Sequence, residues 1–200
     1  MKTVDWILTI GALLLAAGLY ALMGRPGLPD QPMSKRTAEL ERKAPEDMTS
    51  AEWLARLEVL TQERPEDPQP HYFIGQLLAN QGRDEDAVRA YQSALRRDNT
   101  HVPALLGLGD ALLRMSNGEV SSELSALFQR AYQLDRTQLR AGFLVGVADW
   151  QAGDETGAQA YWAEIESGLP EGGRDRAGFS ALVSTFVRES RANSAAVPPN

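Results

Sequence analysis

Three near-copies of one residue pattern constrain this chain more than any other feature. Each copy starts at a glycine, continues with an alanine or leucine 12 or 15 positions later, and adds two apolar residues at steps of four and three, the first of them aromatic. The glycines lie 34 and 37 residues apart, and the members are Gly75, Ala87, Tyr91 and Ala94, then Gly109, Leu124, Phe128 and Ala131, then Gly146, Ala158, Trp162 and Ile165. Steps of four and three keep side chains on one face of a helix, so the pattern predicts repeated helical units.

A period of 34 residues with two small residues, an aromatic residue and an alanine is typical of the tetratricopeptide repeat, in which helix pairs stack into a curved, peptide-binding scaffold. The repeats are predicted at about 68–101, 102–138 and 139–170, and a longer turn at 116–121 gives the second its three extra residues. In each pair, we expect the glycine of the first helix to meet the small residue of the second. The predicted fold is an all-α tetratricopeptide superhelix of about three repeats with flanking helices.

Further helices are predicted on both sides of the repeats. Thr49 and Glu52 have the spacing of a capping box, which begins a helix near Ser50. A last helix at about 174–190 is expected to cover the open end of the stack. The expected organisation is a transmembrane anchor at 1–24, a Pro/Gly-rich and charged linker at 25–49, the repeat domain at 50–190 and a disordered tail at 191–200.

The anchor prediction comes from an uncharged stretch of eighteen residues, Trp6 to Met23. As a helix it would be roughly 27 Å long, close to the hydrocarbon thickness of a bilayer. A cleaved signal peptide is the alternative, with Ala16-Ala17-Gly18 as a small-residue cleavage site. The apolar run continues past that site, which favours one uncleaved transmembrane helix in contact with the lipid bilayer through residues 6–23. The Lys and Arg residues on its two sides do not settle its orientation.

Charge and composition exclude several classes of function. The formal net charge is -7, so the chain lacks the basic footprint of a nucleic-acid-binding protein. It contains no cysteine, which excludes disulfides, thiolate metal sites and redox dithiols. The two histidines, His71 and His101, are interpreted as structural, with His101 exposed in a loop between repeats. With no nucleophile motif, phosphate loop or metal-ligand spacing in the sequence, we expect no enzyme activity, no metal and no cofactor.

The concave surface of such a stack is formed by the first helix of each pair, and this is where a partner is expected to bind. The predicted partner-binding residues mix aromatic, aliphatic, amide and charged side chains, which suits an amphipathic helix whose flanks or carboxyl end meet the arginines. The alternative is that about half of them are core or ordinary solvated surface. They are Tyr72, Gln76, Asn80, Leu106, Asp110, Arg114, Arg140, Phe143 and Trp150.

One segment resembles a known family. The stretch 19–32, LYALMGRPGLPDQP, is similar to the end of the second transmembrane helix, and the segment after it, in the bacterial cytochrome c-type biogenesis protein CycH, also called CcmI. The long turn at 117–120, the pair Leu134-Asp135 and the phrase at 151–154 before Trp162 extend the resemblance over about 19–178.

The resemblance implies an inner-membrane protein with its repeat domain in the periplasm. The family binds apocytochrome c, chiefly its C-terminal helix, and presents it to the membrane proteins of the haem-ligation complex, which attach haem at Cys-x-x-Cys-His. This chain departs from the family in having one expected membrane helix where two are usual. The alternative function is a general envelope scaffold that recruits assembly or quality-control partners.

Overall fold

The computed structural model describes residues 42 to 196, with side chains up to residue 193, and the regular elements in that stretch are all helical. A short 3-10 turn, Pro45–Asp47, comes first. The α-helices of the described stretch are α1 (Ser50–Glu63), α2 (Pro68–Asn80), α3 (Asp84–Arg97), α4 (Val102–Met115), α5 (Ser122–Leu134), α6 (Leu139–Gln151), α7 (Glu155–Ser167) and α8 (Arg174–Ala196).

Local sequence explains where these helices begin and reverse. The Thr49 hydroxyl accepts a hydrogen bond from the Glu52 amide, while the Glu52 carboxylate accepts one from the Thr49 amide, so the predicted capping box is confirmed. Inside each helix pair, the turn contains a glycine with positive φ, a conformation that costs glycine little. These are Gly82 (72°), Gly118 (89°) and Gly153 (90°). Each lets the chain leave the first helix sharply and start the second.

The helices stack in chain order. Each packs on its neighbours in sequence, and α2 also packs on α4, so these two first helices lie side by side. The three pairs, α2 with α3, α4 with α5 and α6 with α7, fall within the three predicted repeats. The fold is therefore the expected all-α helical repeat, with the first helices available to form an inner surface.

The glycines at the start of each pattern lie against aromatic rings. A Cβ on Gly75 would be 2.7 Å from Cδ1 of Tyr91, and a Cβ on Gly109 would be 2.6 Å from Cε1 of Phe128. The small residue that was expected to meet each glycine is not its nearest neighbour, because the ring, four positions further along the second helix, lies directly over the glycine. The missing side chain therefore makes room for a ring, and that ring is buried in both pairs.

The structure describes the last helix but not the first 41 residues, so of the predictions for the two chain ends only the C-terminal ones can be compared with it. Helix α8 continues to Ala196, six residues beyond the predicted end at Ser190, since no proline occurs before Pro198. The part of the predicted tail at 191–196 is thus helical. Within residues 42–196, none of the helices has the length and apolar character that a bilayer span requires. The predicted anchor at 6–23 and the linker up to residue 41 lie outside the described residues.

Candidate functional site

A cavity of about 520 Å³ opens on the first-helix side of the stack, between α2 and α4. Its lining combines aromatic and aliphatic side chains with amides and charges. Six of the nine predicted partner-binding residues meet there: Tyr72, Gln76, Asn80, Leu106, Asp110 and Arg114. The rest of the lining is Ala79, Tyr91, Val102, Pro103, Gly107, Asp135 and Gln138. Six of the nine predicted residues therefore lie at this cavity, where they make up six of its thirteen lining residues.

Tyr91 reaches the cavity although it belongs to the second helix of its pair. It does so because its ring lies between two glycines: a Cβ on Gly75 would be 2.7 Å from the ring, and a Cβ on Gly107 would be 2.5 Å from its Cζ. Tyr72 packs against the same ring, with centroids 6.1 Å apart. A tyrosine hydroxyl is neutral at pH 7 at its ordinary pKa, and burial raises the pKa of Tyr91 further, to about 12. The floor of the cavity is thus aromatic and uncharged.

Arg114, which lines the cavity, and Arg140, which does not, are each paired with an aspartate one repeat earlier. Arg114 donates to Asp84 through Nη2 (2.6 Å) and Nε (3.0 Å), and these hydrogen bonds raise the pKa of Arg114 above its ordinary value. Arg140 forms an ion pair with Asp110 in the same manner. Both arginine side chains remain about half exposed, at 48% and 58%. Such exposed pairs contribute about 0–1 kcal/mol, so a charged guest can exchange partners with them at little loss.

A third carboxylate, that of Asp135, lies on the cavity edge. Thr137 donates its hydroxyl and its backbone amide to Oδ1 of Asp135, and Gln138 donates to Oδ2 at 2.8 Å. These hydrogen bonds lower the pKa of Asp135, the Thr137 hydroxyl contributing most. The cavity lining thus contains the carboxylates of Asp110 and Asp135 and the guanidinium of Arg114. The site is of mixed charge and is not a dedicated anion site.

His101 caps α4 from beneath the cavity, and its expected exposure was wrong. Only 8% of it is exposed, because its Nδ1 accepts a hydrogen bond from the Ala104 amide (3.1 Å) and thereby fixes the ring over the helix start. Its Nε2 lies 3.0 Å from the side-chain nitrogen of Gln69, and its ring is 5.2 Å from that of Tyr72. His101 thus caps the start of α4, the helix that contributes Leu106, Asp110 and Arg114 to the cavity lining. Histidine is not among the preferred N-cap residues, so the sequence carries no clear signal for this cap.

The remaining predicted residues in the third repeat, Phe143 and Trp150, are not part of the cavity. Helix α8 covers them: the Phe186 ring meets Phe143 edge-on at 5.5 Å and Trp150 at 5.9 Å. Phe143 is only 8% exposed, and the guanidinium of Arg191 lies 5.6 Å from the Trp150 ring centroid. The structure therefore brings these two side chains together with α8, and their contact with a guest stays a prediction.

The repeat assignment agrees with comparison to known proteins. A family profile for the tetratricopeptide repeat matches residues 49–102 and 72–138. The cytochrome c-type biogenesis protein CycH of Bradyrhizobium diazoefficiens is 27% identical over 163 residues, covering 80% of this chain and 43% of the relative. The CycH protein of Pseudomonas aeruginosa is 28% identical over 190 residues, covering 93% of this chain and 44% of the relative. The resemblance to the CycH family is confirmed, and the chain spans about two-fifths of the length of these relatives.

Solved structures show the same helical-repeat fold. Yeast Tom70 matches with a TM-score of 0.53 and 17% identity, over 68% of this chain and 29% of that protein. A double mutant of MamA RS-1 matches with a TM-score of 0.51 and 18% identity, over 79% of this chain and 93% of that protein. At these identities the likeness concerns the fold alone.

Proposed function

From its kinship with the cytochrome c-type biogenesis proteins CycH, we propose that this tetratricopeptide-repeat chain is an apocytochrome c-binding chaperone of the haem-ligation complex. It is anchored in the bacterial inner membrane through residues 6–23 and holds its repeat domain in the periplasm. It binds chiefly the C-terminal helix of the apocytochrome and presents the chain to the membrane proteins that ligate haem. It binds and positions its guest and carries out no reaction itself.

The open cavity between α2 and α4 is the observation that carries this proposal. Its centre offers Tyr72, Leu106 and Tyr91 as apolar surface, and its rim offers amides and charges. An amphipathic helix needs one such stripe to bury its apolar face, with polar groups on both sides for its flanks. A newly exported, unfolded cytochrome contains segments of this kind that have not yet found their native partners.

The charge pattern at the rim defines what kind of helix fits. Because Arg114 and Arg140 are each paired with an aspartate, the cavity accepts both acidic and basic guest residues. Affinity is then expected to come mainly from apolar burial, with charges setting the orientation. Removing one arginine should weaken binding by a modest factor of about 2–5, corresponding to the roughly 0.5–1 kcal/mol of an exposed pair.

Peptide binding to the full-length chain in lipid nanodiscs tests the proposal. A labelled peptide with the C-terminal helix sequence of a c-type cytochrome should bind in fluorescence anisotropy, and a scrambled peptide of the same composition should not. Leu106→Ser, inside the cavity, should weaken binding about tenfold or more, because burying a leucine contributes roughly 1.5–3 kcal/mol. Leu134→Ser is the matched control, since Leu134 is 45% exposed and does not line the cavity.

Two outcomes would overturn the assignment. If Leu106→Ser and Leu134→Ser bind the peptide equally well, the guest does not occupy this cavity. If the scrambled peptide binds as tightly as the native one, the chain is a general scaffold for unfolded segments. In cells, deletion of the gene should abolish haem staining of membrane c-type cytochromes, and protease added to spheroplasts should digest the repeat domain.

A further inference from the structure

A second cavity, of about 380 Å³, lies at the beginning of the stack between α1 and α2. Trp53 and Leu57 form one wall and are four residues apart on α1, while Phe73 and Leu77 form the other and are four residues apart on α2. Residues four apart share one face of a helix, so two apolar faces meet across this gap without filling it. Phe73 remains 45% exposed, one of the most exposed large apolar side chains within residues 42–196.

This apolar pocket borders the cavity between α2 and α4. Gln76 and Asn80, which complete its lining, also line the cavity between α2 and α4. The two amide side chains thus form a low polar ridge on α2 with an open space on each side. A guest that crosses α2 reaches both spaces at once.

Resting on the proposed function, we infer that the apolar pocket takes one large uncharged side chain, preferably aromatic, from the same guest helix. A volume of about 380 Å³ is at the lower end of ligand pockets, which suits a single side chain and not a second helix. None of its six lining residues is charged, so a lysine or glutamate entering it would lose hydration without gaining a partner. The rings of Trp53 and Phe73 offer the edge and face contacts that aromatic side chains prefer.

The apolar pocket therefore determines which guest helices bind tightly. The cavity between α2 and α4 accepts many amphipathic helices, whereas the pocket requires an apolar anchor at a fixed distance along the guest. The amide ridge sets that distance, because the anchor must be displaced by about one helix-to-helix spacing, roughly 8–10 Å, from the residues over Leu106. On a guest helix this corresponds to about six residues.

A double-mutant cycle tests the inference. The apocytochrome peptide and a variant with its anchor residue changed to alanine are titrated against the full-length wild-type chain and against Phe73→Ser. Loss of the anchor should weaken binding at least fivefold in the wild type and less than twofold in Phe73→Ser. Leu182→Ser, at a similarly exposed apolar position on α8, is the control and should retain the fivefold effect.

The cycle separates this inference from the proposed function. If Leu106→Ser still weakens binding but the anchor effect is the same in wild type and Phe73→Ser, the pocket inference is wrong and the proposed function stands. If the peptide binds neither the wild type nor any variant, the proposed function itself fails.

The absence of cysteine allows the occupant to be identified directly. Phe73→Cys, labelled with a benzophenone maleimide and irradiated with the peptide, should cross-link to the peptide at its anchor. A cross-link that forms instead to residues 25–41 of the same chain, or to a second copy, and that the peptide does not displace, would overturn the inference. Mass spectrometry of the cross-linked product distinguishes these three cases.

Discussion

Gly146→Ala is the most direct test of how the repeats pack. A Cβ at this position would lie 2.2 Å from Nε1 and 2.5 Å from Cε2 of Trp162, which is 2% exposed. The indole cannot retreat freely, since its Nε1 donates a buried hydrogen bond to the Phe143 carbonyl at 3.0 Å. Phe143 is also stacked on the same indole, with centroids 5.6 Å apart. The substitution therefore forces the ring, the hydrogen bond or the helix α6 to move.

The change in the free energy of unfolding that Gly146→Ala causes is the sum of opposing contributions. Replacing a helical glycine by alanine favours the helix by about 1 kcal/mol. Overpacking a tight core costs typically about 1–3 kcal/mol, and weakening a buried hydrogen bond costs a further ~1 kcal/mol. The free energy of unfolding should therefore fall by about 1–3 kcal/mol. For a domain of this size that lowers Tm by roughly 3–10 °C.

Gly178→Ala is the matched control, because Gly178 is helical, exposed and has no atom within 4 Å of where a Cβ would lie. It should raise the free energy of unfolding by up to about 1 kcal/mol. Urea titration of both variants, followed by circular dichroism at 222 nm, measures the difference. If Gly146→Ala is as stable as Gly178→Ala, the inference that the repeat glycines make room for the aromatic rings is wrong.

Substitutions at three other positions should change stability or hydrogen exchange in a stated direction. Burial, and then the charges of Arg97 and Arg96, lower the pKa of His71 in the folded state, so His71 binds a proton more readily in the unfolded chain. The free energy of unfolding should therefore fall as the pH drops below about 6.5. In urea titrations at several pH values, His71→Gln should reduce this pH dependence. Thr49→Ala removes the capping box of α1 and should cost about 1 kcal/mol, measured by thermal unfolding, whereas Thr61→Ala, near the exposed end of the same helix, should cost less. Phe186→Ala should detach α8 and increase amide hydrogen exchange in α8 at least tenfold, while exchange in α2 stays the same.

The repeat positions and turns were predictable because they follow from residues close in sequence or one period apart. Tyr91 follows Gly75 by 16 residues and Trp162 follows Gly146 by the same 16, while the longer turn of the second repeat makes the spacing 19 between Gly109 and Phe128. Each hairpin turn also contains a glycine. The ion pair between Arg114 and Asp84 spans 30 residues, nearly one repeat. An aspartate 30 residues before Arg114 and another 30 residues before Arg140 are therefore a sequence signal for these ion pairs.

The contacts that the sequence did not predict involve α1 and α8, the helices outside the repeats. The repeat pattern places Phe143 and Trp150 on the concave surface, but it contains no information about where α8 packs. The apolar pocket is not predictable for the same reason: Trp53 and Leu57 lie on one face of α1, and sequence spacing does not show that the packing of α1 on α2 leaves a cavity between them. Non-repeat helices dock by side-chain shape, which a periodicity argument does not contain.

The covered third repeat explains why the open cavity is confined to α2 and α4. Helix α8 inserts Phe186 among Phe143, Trp150 and Trp162, and Arg191 of α8 lies over Trp150 while reaching Glu155 at 3.4 Å. A helix that carries an aromatic residue and a basic residue thus already packs on both helices of the third pair. In the first two repeats the cavity between α2 and α4 stays open, and the pocket beside Phe73 supplies an apolar site for an anchor. Helix α8 therefore shows within this chain how an aromatic side chain with a basic neighbour packs against repeat aromatics, which is the kind of contact that we propose for the anchor of the guest.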